Sequence, residues 1–214
     1  DTKEHYKRVS QETSIESTWK LRGTGEEKIS ITAKRDPGKV INVLQEGLKV
    51  FGKAGRFDLS LKAFGDDEHH VYEDLAIVMG NLFNKLLLER KGIVRTAWAI
   101  YPLSGGIVLL AADLGRGYCH IETDIKNRAL QAMVHHYFES FSRLGKIDVV
   151  AFGIGRRHPF LQYLKPFLPL VLSQPELKKI QAGRLHDNIL SVALFKALGE
   201  SLKEAVKRDP ARTK

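Results

Sequence analysis

The sequence is short of several things, and each shortage excludes something. A single cysteine, Cys119, stands among 214 residues. No disulfide can therefore form within the chain, and a cysteine-based zinc site has no ligands. That scarcity points to a reducing, cytoplasmic setting. Cys119 lies in the strand-like run Gly117 to Thr123 and reads as a small, half-buried hydrophobe. No apolar run reaches the roughly 20 residues needed to span a bilayer; the longest, Ile107 to Ala112, is strand-sized. The first residues, Asp1 to Arg8, are charged and polar, unlike a secretory signal, and a start on Asp1 rather than Met is expected of a trimmed or processed chain. No serine-triad signature, glycine-rich phosphate loop or dinucleotide fingerprint is present.

What is there is enough for a packed core: 43% of the residues are hydrophobic. The net charge is +9, which suits either a nucleic acid or a phosphorylated metabolite. The basic residues are spread along the chain, with local excesses only at Arg156-Arg157 and in the tail (Lys203, Lys207, Arg208, Arg212, Lys214). The aromatic and basic interleaving of an RNA-binding sheet is missing. A generally basic surface is the simplest reading, and nucleic-acid binding ranks last.

Residues 17 to 33 alternate in polarity around Gly23-Thr24-Gly25, which predicts two antiparallel strands joined by a turn. Val40, Val43, Leu44, Leu48 and Phe51 have helical spacing, and Gly55 suits the helix stop. A strand follows over Phe57 to Phe64, then a helix over Tyr72 to Arg90. The second half repeats the order. Strands are predicted at Thr96 to Tyr101, Ile107 to Asp113 and Tyr118 to Thr123, a helix at Arg128 to Gly145, a strand at Lys146 to Ile154 and a last helix at Asn188 to Lys207.

One stretch matches between the halves: Gly55-Arg56-Phe57-Asp58-Leu59 and Gly145-Lys146-Ile147-Asp148-Val149, at an offset of 90 residues from Gly55 to Gly145. The fold class predicted is α+β, built of duplicated half-domains, 1–95 and 96–214. Each is a mostly antiparallel sheet with helices packed on one face. The second half carries an insertion at about 155–187 with Pro159, Pro166, Pro169, a helix over Gln174 to Ala182 and many apolar residues. Such a segment needs a partner surface, either its own core or another subunit.

The run Asp66-Asp67-Glu68-His69-His70-Val71-Tyr72-Glu73-Asp74 carries the sharpest chemistry. Glu73 follows His69 by four residues and His70 by three, so each pair shares a helix face. Imidazole with carboxylate suits manganese, iron, zinc or nickel. Adjacent histidines point apart on a helix, so the motif suits two different ions. A solvated acidic helix start, in which carboxylates offset the dipole, weighs about equally on spacing alone. His5 falls in a polar tail, His120 on a strand face, and His135 beside His136.

This run resembles D-D-H-H-x-x-E-D of the imidazoleglycerol-phosphate dehydratase family. Further matches come in family order. Lys7 to Thr13 resembles R-x-T-x-E-T, Gly55 to Leu59 resembles H-G-x-F-D-L, and Lys91 to Arg95 resembles K-G-I-x-R. Asp113 to Tyr118 resembles D-L-S-G-R-P-Y, Val134 to Phe141 resembles V-E-H-F-F-x-S-F, and Phe195 to Leu198 resembles F-K-A-L. The resemblance implies a duplicated β-α fold that assembles from trimers, with sites between subunits that hold manganese. It implies metal ligands His69, His70, Glu73 and His136, catalytic carboxylates Glu12 and Glu73, and phosphate-binding Arg95, Arg116 and Lys196.

The departures fall at the family's metal and catalytic positions. The second H-H-x-x-E aligns with Asn188 to Val192, a further metal histidine with Glu46, and the catalytic D-E-A-L turn with Ser104-Gly105-Gly106-Ile107. His158 and His186, in or beside the insertion, read as solvated loop histidines rather than replacements. The pattern favours a member that binds a phosphorylated small molecule with weakened or lost dehydratase activity, alone as a homo-oligomer or beside a complete homologue. An active manganese-dependent dehydratase of histidine biosynthesis is the alternative.

Overall fold

The computed structural model describes residues 3–87 and 90–212. The first half contains strands β1 (Lys3–Val9), β2 (Thr13–Lys20) and β3 (Glu27–Arg35), helix α1 (Ile41–Gly55), strand β4 (Asp58–Asp67) and helix α2 (Glu68–Leu86). The second contains β5 (Thr96–Leu103), β6 (Gly106–Asp113), β7 (Cys119–Thr123), α3 (Arg128–Gly145) and β8 (Asp148–Gly155). After β8 come α4 (Pro159–Leu164), a 3-10 turn (Leu168–Leu170), α5 (Gln174–Gln181) and α6 (Asp187–Ala205). The sheet orders are β1-β2-β4-β3 and β5-β6-β8-β7, one topology used twice. The chain is α+β as its sequence implies, with the long helices α1, α2, α3 and α6 packed on one face of each sheet.

The expected hairpin between residues 17 and 33 does not form. β4 lies between β2 and β3, antiparallel to the first and parallel to the second. Alternation identifies a strand but not its neighbour, and β3 reaches β4 through α1, the crossover that parallel strands require. The loop from β2 to β3 must therefore cross the end of β4. The first residue of β4 holds it there: Asp58 Oδ1 accepts from the backbone N–H of Thr24 (2.7 Å), Gly25 (3.1 Å) and Glu26 (3.2 Å). Asp148, the first residue of β8, accepts likewise from Arg116 (3.0 Å), Gly117 (2.8 Å) and Tyr118 (2.8 Å). Burial works to raise the pKa of both carboxyls, and these donors outweigh it and hold both below the ordinary value. The matched Asp of the two halves is thus a loop clamp.

The matched glycines also have a physical cause. The left-handed residues that stop α1 and α3 are Arg56 (φ 53°) and Lys146 (φ 50°), each one position later than the glycine. Gly55 is needed for a different reason: a Cβ there would lie 2.1 Å from the Phe57 ring. His5, read as part of a polar tail, sits in β1, with its ring 3.0 Å from Glu16. The helix expected to reach Arg90 ends at Leu86, and residues 88 and 89 lie outside the described residues, as does Lys214.

The four long helices lie between the two sheets, with α1 against α6 and α2 against α3. Trp19 of β2 is fully buried, 5.5 Å from Phe51 of α1, 5.4 Å from Phe83 of α2 and 6.4 Å from Phe141 of α3. One continuous core thus serves both halves. Phe51 and Phe141 are again 90 residues apart, and glycines Gly199 and Gly80 face them across the helix contacts.

Part of the insertion finds its partner within the chain, while Tyr163, Phe167, Leu170 and Val171 stay exposed. Leu161, Leu168 and Ile180 pack on Ile107 and Ile154, covering the far face of the second sheet with a small core of its own. Helix α4 escaped the sequence reading because six residues are too few to show a period.

Candidate metal and phosphate site

α2 starts where β4 ends, with no loop between them. Asp67 caps it by accepting from His69 N–H at 3.0 Å. The motif therefore sits on the first turn of a rigid helix. His69 Nδ1 lies 2.7 Å from the Tyr72 hydroxyl and its Nε2 lies 3.3 Å from Glu73 Oε2. The His136 ring on α3 is 5.4 Å from the His69 ring. Two imidazoles and one carboxylate thus converge from two helices. His70 points elsewhere: its Nδ1 lies 2.9 Å from Asp66 Oδ1, and its ring centre is 6.0 Å from that of His69. Asp66 raises the His70 pKa, with a further push from Glu12, and burial opposes both. The two adjacent histidines therefore face different surroundings.

Glu12 is brought to this place by the β1–β2 turn. Asp66 N–H donates to the Glu12 carbonyl at 3.0 Å, and Gly65 permits the approach, since a Cβ there would lie 3.2 Å from that oxygen. The turn is tied to α2 by Asp74, which accepts from Thr13 Oγ1 (2.5 Å) and pairs with Arg8 (3.0 Å). Within Lys7 to Thr13, Arg8 and Thr13 are thus anchors, and the Glu12 side chain is left exposed.

A cleft of about 440 Å³ opens beside the motif, lined by Glu73 of the first half and by Gly117, Cys119, His136, Glu139 and Arg143 of the second. Arg116 precedes Gly117 in the loop clamped by Asp148. Arg95, in a left-handed conformation at φ 78°, has its Nε 3.6 Å from Asp113, at the same end of the second sheet. Lys196 does not join them. Its ammonium lies 4.4 Å over the Tyr101 ring. Arg95 N–H donates to Ala205, nine residues further along α6 than Lys196, a separation of roughly 14 Å at 1.5 Å per residue. Tyr72 and Arg143 were not singled out in the sequence. An aromatic three residues after a ligand histidine was the available signal for Tyr72; Arg143 had none, because only the loop from β6 to β7 brings Gly117 to it.

The second half differs at the matching positions. α6 has the length of α2 and follows it by 119 residues, from Glu68 to Asp187. On that register Asn188, Ile189 and Val192 replace His69, His70 and Glu73. The 90-residue register puts Glu46 where α3 has His136, and Glu46 instead pairs with Lys49 at 2.9 Å. The strand registers put Gly105 where the first half has Glu12: Thr13 faces Gly65, and Gly106 faces Gly155. The donor set of the first motif fits a divalent transition metal in part, and that of its counterpart does not. Among the described residues no group of three or more His, Cys, Asp or Glu side chains is arranged to hold an ion.

Comparison with known proteins settles the family. The family model described as imidazoleglycerol-phosphate dehydratase matches residues 40–155. A protein named imidazoleglycerol-phosphate dehydratase from Dehalococcoides mccartyi (strain CBDB1) is 31% identical over 211 residues, covering 96% of this chain and 89% of that one. The chain belongs to the imidazoleglycerol-phosphate dehydratase family. A second relative of that name, from Roseiflexus sp. (strain RS-1), is 33% identical over 210 residues, 94% of this chain and 87% of its own. The fold agrees with the Staphylococcus aureus dehydratase crystal structure at a TM-score of 0.67 and 16% identity, over 97% of this chain and 99% of that one. It agrees equally with the Pyrococcus furiosus dehydratase in complex with (S)-C348, at a TM-score of 0.67 and 20% identity, over 95% and 94%. No helix among the described residues is long and apolar enough to cross a membrane.

Proposed function

We propose that this chain is a diverged member of the dehydratase family that binds a phosphorylated small molecule and has weakened or lost the dehydratase reaction. The observation that carries the reading is the contrast between two positions of one repeated scaffold. The first has His69, His70, Glu73 and His136; the second has Asn188, Ile189, Val192 and Glu46. A site that draws on both motifs has half its donors. Glu12, the carboxylate beside His70, has only Gly105 as its counterpart, so proton transfer from that turn is lost.

Manganese held by His69, Glu73 and His136, with His70 turned to a second ion, would supply Lewis-acid stabilisation of an anionic intermediate. Tyr72 would orient His69, and Asp66 would orient His70. Arg95 and Arg116, with Arg143 in the adjoining cleft, would attract a phosphate group through charge-assisted hydrogen bonds. We place the protein in the cytoplasm, as a homo-oligomer built from trimers in which Lys196 reaches the phosphate of a neighbouring site. The retained first motif favours one second reading, a mixed assembly in which a complete homologue supplies the missing half.

The test is the manganese content and affinity of the purified protein beside a His69→Ala/His70→Ala variant, with imidazoleglycerol-phosphate turnover assayed on both. Weak metal binding that the variant abolishes, with turnover near background, is expected. Turnover at about 1 s⁻¹ or faster, in the ordinary range of enzymes, would overturn the weakened reading. No metal in either protein would remove manganese from it.

A further inference from the structure

The second half has not simply lost a site. Where its motif would stand, the structure has a cleft of about 1230 Å³, bordered by Gly105, Asn188 and Ile189 on one side and by the insertion on the other. Lys126, Arg156, Arg157 and Arg184 line it, against the two carboxylates Asp124 and Asp187. Both carboxylates already have backbone partners. Asp187 Oδ2 accepts from Lys126 N–H (3.1 Å) and Asn127 N–H (2.7 Å), and Asp124 Oδ2 accepts from Gly155 N–H (2.6 Å). The cations are freer. Arg156 donates from one nitrogen to the Gln181 carbonyl at 2.6 Å, while the side chains of Lys126, Arg157 and Arg184 show no partner among the described residues.

The cleft exists because of the same changes that removed the motif. Gly105 has φ 77°, and a Cβ there would lie 2.9 Å from Leu185 N and 3.1 Å from the carbonyl carbon of Arg184. Gly183, at φ 73°, faces the same turn, where a Cβ would lie 2.0 Å from Ser104 Oγ. The insertion therefore returns to α6 by resting backbone on backbone against the β5–β6 turn, and this contact fixes Arg184 at the rim. A carboxylate side chain at position 105, as Glu12 provides in the first half, would lift the insertion away. Arg156 is fixed from the other side, since its N–H donates to the Gly105 carbonyl at 2.9 Å.

We propose that this cleft is a second anion site, for a small molecule carrying two or more phosphoryl groups. Four permanent cations around a concave surface focus a positive field into it. Guanidinium forks match phosphate oxygens. A cleft of about 1230 Å³ is far larger than one phosphate and suits several linked groups. The inference does not rest on the reading of the His69 site, and its test separates the two.

The probe is inorganic tripolyphosphate, with inorganic phosphate and sulfate as comparisons, titrated calorimetrically at constant ionic strength into the full chain. Tripolyphosphate should bind more tightly than either comparison. An Arg157→Ala/Arg184→Ala variant should lose at least about tenfold in affinity, the loss expected from one charged hydrogen bond. The His69→Ala/His70→Ala variant should bind as wild type does. Arg157 and Arg184 are exposed, so the double variant should keep its thermal unfolding midpoint, which is measured alongside. An Arg35→Ala control, at an exposed arginine of the first sheet, should bind as wild type. Equal weakening by Arg35→Ala, or no binding of tripolyphosphate at all, would overturn the proposal. So would tighter retention of a single-stranded RNA oligonucleotide than of tripolyphosphate, which would make the cleft part of a nucleic-acid surface.

Discussion

Gly199→Ala tests the repeat at its tightest contact. In an open helix this change stabilises by about 1 kcal/mol, because alanine loses less backbone freedom than glycine. Here the new Cβ would lie 2.4 Å from the Phe51 carbonyl oxygen on α1, a backbone atom that cannot swing aside. α1 and α6 would have to separate by about 1 Å, and overpacking of this kind costs roughly 1–3 kcal/mol, sometimes more. The net expectation is a loss of up to about 2 kcal/mol, or up to roughly 8 °C in Tm for a chain of this size. Gly80→Ala is its counterpart, with the Cβ 2.9 Å from the Phe141 oxygen on α3. That smaller overlap should leave the change near neutral in stability. It should still disturb the spacing of α2 and α3, which carry His69 and His136. Urea and thermal unfolding of both variants give the comparison. A stabilised Gly199→Ala protein, or a Gly80→Ala protein that is the weaker of the two, would refute the packing argument.

Asp148→Asn should lower Tm by about 2–6 °C at neutral pH, by weakening hydrogen bonds to a charged group. Because the folded pKa of Asp148 is depressed, its contribution is present above the unfolded value of 3.8 and is lost as pH falls through the folded value. The gap between variant and wild type should therefore close in acid, and a gap independent of pH would count against the clamp. Tyr72→Phe should leave stability nearly unchanged and weaken manganese binding about 10- to 100-fold, the usual effect of removing the group that orients a ligand histidine; unchanged metal affinity would argue that Tyr72 does not orient it. Leu161→Ala should cost about 2–5 kcal/mol locally, read as faster hydrogen exchange in α4 and α5 with α3 and α6 still protected. Uniform loss of protection would show that the insertion is not a separate small core.

Local chemistry fixed a good deal of this protein by itself. α3 runs from Arg128 to Gly145, the bounds its apolar spacing predicts, because a helix is set by residues within one or two turns of each other. The motif at the start of α2 was legible for the same reason, since His69, Tyr72 and Glu73 meet through spacing alone. The duplication was legible in one short match, whose Asp58 and Asp148 proved to be clamps. Pairing between distant segments was beyond the reach of the pattern. That β3 lies beside β4 and not β2, that the β1–β2 turn sets Glu12 against Asp66, and that His136 approaches His69 are decided by how helices and sheets share one core. The same holds for the second half. The sequence shows by itself that Asn188, Ile189 and Val192 stand where the first half has His69, His70 and Glu73. Only the resting of Gly183 to Leu185 on the Gly105 turn turns four scattered basic residues into the walls of one cleft, because side chains far apart in a chain meet only where backbones can touch.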